Sequence, residues 1–439
     1  MGDSKTARIG WIDEFKGFVL LLVCLYHVEQ SFPQAHMDML HLSAMRMSAF
    51  FFISGMLFST RRFGDFKSYF IHKTRVLLVP YILLSLLFLL LDPVLYNFDL
   101  FPKAPRMTIM NIRPHIASVW DYIYWNLAKI FVAGKSSIGS GPLWFVFTLY
   151  SVSLIFYGVQ AIANALSPVS GKRSRNKSGI AGRIIIAVAA IAGLAGGWLL
   201  YRHHIRLPLG IERDLTVLFF FACGYICKGI IQKHLCDKGK NRIPWSLVVA
   251  TSATSFILYA ATEVPDPNFS IMNNDLGKSL PLFLASSAFG IIGLVTAFIA
   301  IDRIPDILPL RIAKGILRNI SRNALVILAV HWYILLVMRL LFRASFNKPG
   351  IAYLSIAVVA AGVIVAIPLF RCKLYRLLGK QKISASESLS SSPVSVEAQS
   401  QMPIPCVQCL TACSIVSHCG LGCLLDIQVS RILLDPLNP

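Results

Sequence analysis

About ten runs of apolar residues, most close to 20 residues long, recur along this chain and leave it little choice of fold. The hydrocarbon core of a bilayer is about 30 Å thick, which takes about 20 helical residues to cross. Lipid offers backbone amides no partner, so each run must satisfy its own hydrogen bonds, as a helix does. The expected spans are 14–32, 43–60, 76–96, 141–166, 184–202, 214–232, 245–262, 281–301, 322–342 and 351–370. Composition agrees: 56% of the 439 residues are hydrophobic, only 14% are charged, and the mean hydropathy is +0.65. The fold class is therefore all-α, a polytopic membrane helix bundle of about ten transmembrane helices.

A net charge of +21 raises the question of nucleic acid, but the positive residues sit in short clusters between apolar runs. Arg61, Arg62, Lys67, Lys73 and Arg75 follow the second run, and Lys172, Arg173, Arg175 and Lys177 the fourth. Lys233, Lys238, Lys240 and Arg242 follow the sixth, and Arg303, Arg311, Lys314 and Arg318 the eighth. Loops after odd-numbered runs are poorer in Lys and Arg, with Arg202, Arg206 and Arg213 as the clearest exception. This asymmetry predicts both termini in the cytoplasm and no nucleic-acid partner. Lys5 and Arg8 precede an apolar core as in a signal peptide, but no small-residue cleavage site follows Tyr26, so a retained helix is expected.

The composition changes near Lys380, dividing a membrane domain, residues 1–380, from a cytoplasmic tail, residues 381–439. The tail begins Ser-rich, which predicts disorder. It continues into Cys406, Cys409, Cys413, Cys419 and Cys423, with His418 among them. Those spacings do not form a clean pair of zinc knuckles, and no metal is expected.

The first run carries the most informative polar residues. Lys16 and His27 are separated by almost three helical turns, about 16 Å along the axis, so both lie on one face. Asp13 and Gln30 fall near the same stripe. A cation and an imidazole on an apolar helix are costly in hydrocarbon and should face protein or a wet cavity. Taken alone, the stripe fits a cytoplasmic flank and a hydrogen-bonded interior histidine as well as a site. The stretch between the third and fourth runs holds an aromatic patch, Trp120, Tyr122, Tyr124 and Trp125, and ends in a flexible turn over 134–142.

Further local patterns follow in order. Arg46-Met47 precedes Ala49-Phe50-Phe51-Phe52-Ile53-Ser54-Gly55, and Arg75 opens Arg75-Val76-Leu77-Leu78-Val79-Pro80-Tyr81. Gly141-Pro142-Leu143-Trp144-Phe145 comes next, then Phe219-Phe220-Phe221 with Gly224-Tyr225, and finally Asn323-Ala324-Leu325 with His331. Ser54-Gly55 reads as close helix packing and Pro80-Tyr81 as a kink.

With Ile12-Asp13 and Lys16-Gly17…His27, this ordered set resembles the acyltransferase-3 family of bacterial integral-membrane acyltransferases, most closely its fucose 4-O-acetylase-like branch. The resemblance covers residues 8–372. It implies acyl transfer, usually of acetyl from acetyl-CoA, to hydroxyls of surface or exported glycans, in a multi-pass protein of the bacterial cytoplasmic membrane. It implies Lys16 and His27 as the family's basic residue–x10–His motif, with Lys where many relatives have Arg; Lys supplies charge without bidentate recognition. It favours His331 as a second site residue, against a plain interhelical hydrogen bond. Lys16, Arg46 and Arg75 are expected on the acyl-CoA donor, and Asp13 and Trp144 on substrate, with packing an equal reading for Trp144.

The chemistry is coherent with that expectation. A base must deprotonate an alcohol, and neutral imidazole is suited to it near pH 7. Positive charge is needed for donor phosphates and for the developing oxyanion. His27 is thus expected as general base or, less simply, as a transient acyl carrier. The competing reading is a transporter or flippase, whose pathway buried charge and histidine would equally mark.

Overall fold

The computed structural model describes residues 10–97, 112, 115–167, 179–236, 242–263, 269–342 and 348–378. The Ser-rich stretch and Cys406 to Cys423 lie outside the described residues, as do Lys172, Arg173, Arg175, Lys177, Lys238 and Lys240. The chain divides into two compact units, the first comprising Met1–Ile367 and Leu377–Gly379. Of the second, Pro368–Arg376 is described and closes the last long helix.

Helices dominate, and no β-strand occurs among the described residues. In chain order they are α1 (Gly10–Ser31), α2 (Ser43–Met56), α3 (Phe66–Lys73), α4 (Val79–Asn97) and α5 (Val119–Phe131). Next come α6 (Trp144–Leu166), α7 (Ile180–Arg202), α8 (Ile211–Ile230) and α9 (Trp245–Glu263). The last are α10 (Leu280–Asp302), α11 (Leu308–Arg322), α12 (Ala324–Leu341) and α13 (Pro349–Cys372). A π-helical turn, Thr74–Leu78, joins α3 to α4 just before Pro80, so the third span begins earlier than its apolar run, at Phe66.

Among the described residues, eight helices are long and apolar enough to cross a membrane. They coincide with the third to tenth expected spans. The first two differ for physical reasons: α1 carries Asp13, Glu14, Lys16 and Glu29, and α2 has only 14 residues, about 21 Å. Ile184, Val188, Ile191, Ile257 and Val365 are exposed on the long helices, as lipid-facing side chains would be.

Small residues set the crossings. A Cβ on Gly55 would stand 1.8 Å from the Phe221 carbonyl oxygen, and one on Gly224 would stand 1.9 Å from that of Phe52. The two Phe-x-x-Gly segments therefore lock α2 and α8 backbone to backbone, the close packing expected of Ser54-Gly55. Gly17 does the same for α1 against α11, where a Cβ would meet Leu317 O at 2.0 Å. Hydroxyls bridge other pairs: Ser252 Oγ donates to Gly293 O at 3.0 Å and Ser287 Oγ to Ala44 O at 3.2 Å.

Helix α11 has no counterpart among the expected spans. Its basic residues Arg311, Arg318 and Arg322 are spaced with Ile312 and Ile316, an amphipathic pattern too polar to register as a span. It holds the N-terminal end of α1: Arg318 Nε donates to Glu14 Oε1 at 2.9 Å, and Glu14 is fully buried.

Candidate active site

The candidate centre forms where α1 meets α12. His331 is fully buried seven residues into α12, and its Nδ1 lies 2.6 Å from Ile327 O. A carbonyl oxygen can only accept, so Nδ1 carries the proton and Nε2 is left with the lone pair. That Nε2 is buried and has no hydrogen-bond partner. On α1, half-buried His27 donates from Nδ1 to Gln30 Oε1 at 3.1 Å, which likewise leaves Nε2 basic. The two imidazoles face each other with ring centroids 5.4 Å apart. Two histidines 304 positions apart in sequence thus lie ring beside ring, each with Nε2 outside these hydrogen bonds.

Around His27 the walls are aromatic and cationic. Trp332 meets it edge-on at 5.0 Å, and Tyr26 lies 5.2 Å away on the other side. Arg46, buried on α2, stacks over Tyr26 with its guanidinium carbon 4.0 Å from the ring centroid. The same guanidinium donates to Met39 O, and Met39 N donates to Glu29 Oε2 at 2.8 Å. These bonds pin the α1–α2 connection, where His36 and Asp38 adopt left-handed φ of 46° and 52°. Such values cost a non-glycine residue free energy and persist where surrounding contacts over-determine them.

A second loop reaches the pair from the opposite direction. Trp332 Nε1 donates to Ile138 O at 2.8 Å. Ile138 N donates to Asn126 Oδ1 at 3.1 Å, and Gly139 N to Asp92 Oδ2 at 3.3 Å, with Tyr122 OH on the same oxygen. The 134–142 turn is thereby tied to α4, α5 and α12. A Cβ on Gly141 would stand 2.8 Å from the Trp332 ring, so glycine lets the loop approach the indole.

The remaining sequence-derived residues lie farther off. Lys16 pairs with Asp13 at 3.9 Å near the other end of α1, about 16 Å along the axis from His27. Arg75 is exposed on the π-helical turn. Trp144 packs beneath the Arg213 guanidinium, 5.4 Å from its ring centroid, and is 7% exposed. The sequence set both histidines, Arg46 and Gln30 apart, but not Trp332 or Tyr26. Each of these two is the chain neighbour of a named histidine, and that adjacency was the available signal.

The arrangement can take up and return a proton beside a fixed cation, which acyl transfer to an alcohol requires. A family model described as an acyltransferase domain matches residues 9–370, spanning both histidines and all thirteen helices but for the last turn of α13. Comparison with curated proteins and with solved structures returned no match. With its span-length helices, its facing imidazoles and that match over most of its length, the chain is a membrane acyltransferase and belongs to the acyltransferase-3 family.

Proposed function

We propose that this acyltransferase moves an acyl group, most simply acetyl, from acyl-CoA to a hydroxyl of an exported or surface glycan. His27 acts as the general base. Its Nε2 takes the acceptor hydroxyl proton as the oxygen attacks the thioester carbonyl. The tetrahedral intermediate collapses with loss of the thiolate, which recovers the proton from the His27 imidazolium and leaves as CoA. Products are the glycan ester and free thiol, so direct transfer balances without an acyl-histidine.

His331 is a positioning residue, holding the acceptor or the His27 ring through its bare Nε2. Arg46 supplies positive charge to the reacting carbonyl. Lys16 and Arg75 contact the donor's phosphates from the cytoplasmic side, where both termini also lie, and the membrane is the bacterial cytoplasmic membrane. Asp13 orients Lys16, and Trp144 flanks the acceptor.

The observation that carries this reading is the adjacent pair of imidazoles, His27 and His331, with ring centroids 5.4 Å apart. A plain interhelical hydrogen bond would consume one of their nitrogens, and the His331 Nε2 is unpartnered. The test is purified full-length protein given labelled acetyl-CoA and candidate glycans. Glycan-dependent release of thiol, abolished in His27→Ala, supports the enzyme; glycan uptake without thioester loss would assign a transporter instead.

A further inference from the structure

A second polar centre lies beyond the histidine pair, where α5 and the loop after it pack against the start of α8. Lys135 N donates to Lys129 O at 2.9 Å, which folds the chain back so that both lysines flank the Gly134 turn. Arg213 reaches the same turn, donating from Nη2 to Gly134 O at 3.2 Å. Three cations thus converge on one loop.

Carboxylates balance them only in part. Asp214 is 3.8 Å from Arg213 Nε, and Glu212 is 3.9 Å from Arg206 while accepting from Leu207 N. Asp92 accepts from Gly139 N and Tyr122 OH on Oδ2, and its charge reaches Lys129 without forming an ion pair with it among the described residues. Lys135 Nζ donates only to a neutral group, Asn273 Oδ1, at 3.3 Å. Lys129 is 7% exposed and forms neither an ion pair nor a side-chain hydrogen bond among the described residues. Arg213 is 1% exposed, and its Nε and Nη1 have no hydrogen-bond acceptor. Buried cations whose donors are incompletely paired are costly and mark places where an anion would be welcome.

Both lysines lie outside the membrane-crossing helices. Burial, with repulsion from Lys135, pushes the Lys129 ammonium down to about 7 against the opposing charge of Asp92. Burial, with Arg213 and Arg206 nearby, pushes Lys135 down to about 8. The loop that carries Lys135 continues to Ile138, whose carbonyl takes the Trp332 indole proton beside His27. Trp144, under Arg213, adds an aromatic face.

We propose that Lys129, Lys135 and Arg213 form an anion subsite that holds a carboxylate or phosphate of the acceptor, so the acceptor is an acidic rather than a neutral glycan. The assignment to the acceptor rests on the acyltransfer reading above; the anion subsite itself has its own readout.

Thermal unfolding of the full-length protein in nanodiscs of uncharged lipid, at pH 7 and matched ionic strength, tests it. Glucuronate and glucose 1-phosphate should each raise the midpoint by about 3 °C or more at millimolar concentration, and glucose should not. The larger shift identifies carboxylate or phosphate as the preferred group. Lys129→Met should abolish the anion response without lowering the ligand-free midpoint, and Lys135→Met reads the same loss should the first variant not fold. His27→Ala should keep the response, so this proposal and the base assignment fail separately. Coenzyme A should stabilise wild type and both lysine variants alike. Equal responses to glucose and the acids, anion responses that survive both lysine variants, or a coenzyme A effect lost with Lys129 would each overturn the proposal.

Discussion

At the α2–α8 crossing two glycines bring backbone against backbone, whereas between α1 and α12 two imidazoles meet with basic nitrogens left over. The first region holds only small and apolar groups whose polar atoms are satisfied within their own helices. The second keeps a buried unpartnered nitrogen, which costs about 1–3 kcal/mol. A membrane bundle can associate through packing of the first kind alone. The second kind is not needed for assembly, and that asymmetry marks the α1–α12 meeting as the candidate working face and the Gly55–Gly224 crossing as frame.

Substitutions should separate the two regions by opposite signatures. The largest effect belongs to the frame. Gly55→Val or Gly224→Val places methyl groups inside a partner carbonyl, so neither helix can keep its position. Size-exclusion profiles of the purified variants should show aggregate in place of the wild-type peak, and a wild-type profile would remove the crossing from its role. At the working face His27→Ala should reverse the pattern. Acyl transfer should fall by about 10²–10⁴-fold while the thermal midpoint stays near wild type.

His331→Leu sharpens the contrast further. It removes an orphaned nitrogen along with one local hydrogen bond, so stability should change by less than about 1 kcal/mol. The rate should still drop by about 10²-fold through lost positioning. Turnover and thermal unfolding measured on the same preparation give both numbers. Trp332→Phe is the mildest change. It keeps a ring beside His27 but deletes the bond to Ile138 O, costing about 1 kcal/mol in stability and only a few-fold in rate.

Much of the frame was legible in the sequence because apolar runs of span length admit one local structure. Eight of the ten expected spans are helices of crossing length, and Ser54-Gly55 is a packing contact. Helix α11 escaped because Arg311, Lys314 and Arg318 break its apolar run. Its 3.6-residue periodicity, rather than its hydropathy, was the signal. The turn over 134–142 read as flexible from its small residues; Asp92, from α4, and Trp332, from α12, hold it across the fold, beside its own Ser137–Ser140 bond.

The site was legible in its parts and not in its assembly. His27 and His331 stood out as polar residues in apolar helices, and the ordered motifs linked them to one chemistry. That their rings face each other, and that Trp332 joins His27 to the loop bearing Lys135, depends on tertiary packing. The burial of Lys129 is of the same kind, since a lysine on an amphipathic helix ordinarily points to water.

The central claim is that His27 Nε2 is the base for acyl transfer. Acceptor-dependent release of free thiol from acetyl-CoA, compared between wild type and His27→Ala in the same lipid, addresses it directly. The account predicts release by wild type only when glycan is present and at least about a 10²-fold loss in the variant, with matching thermal midpoints. Thiol release by His27→Ala at the wild-type rate would contradict it.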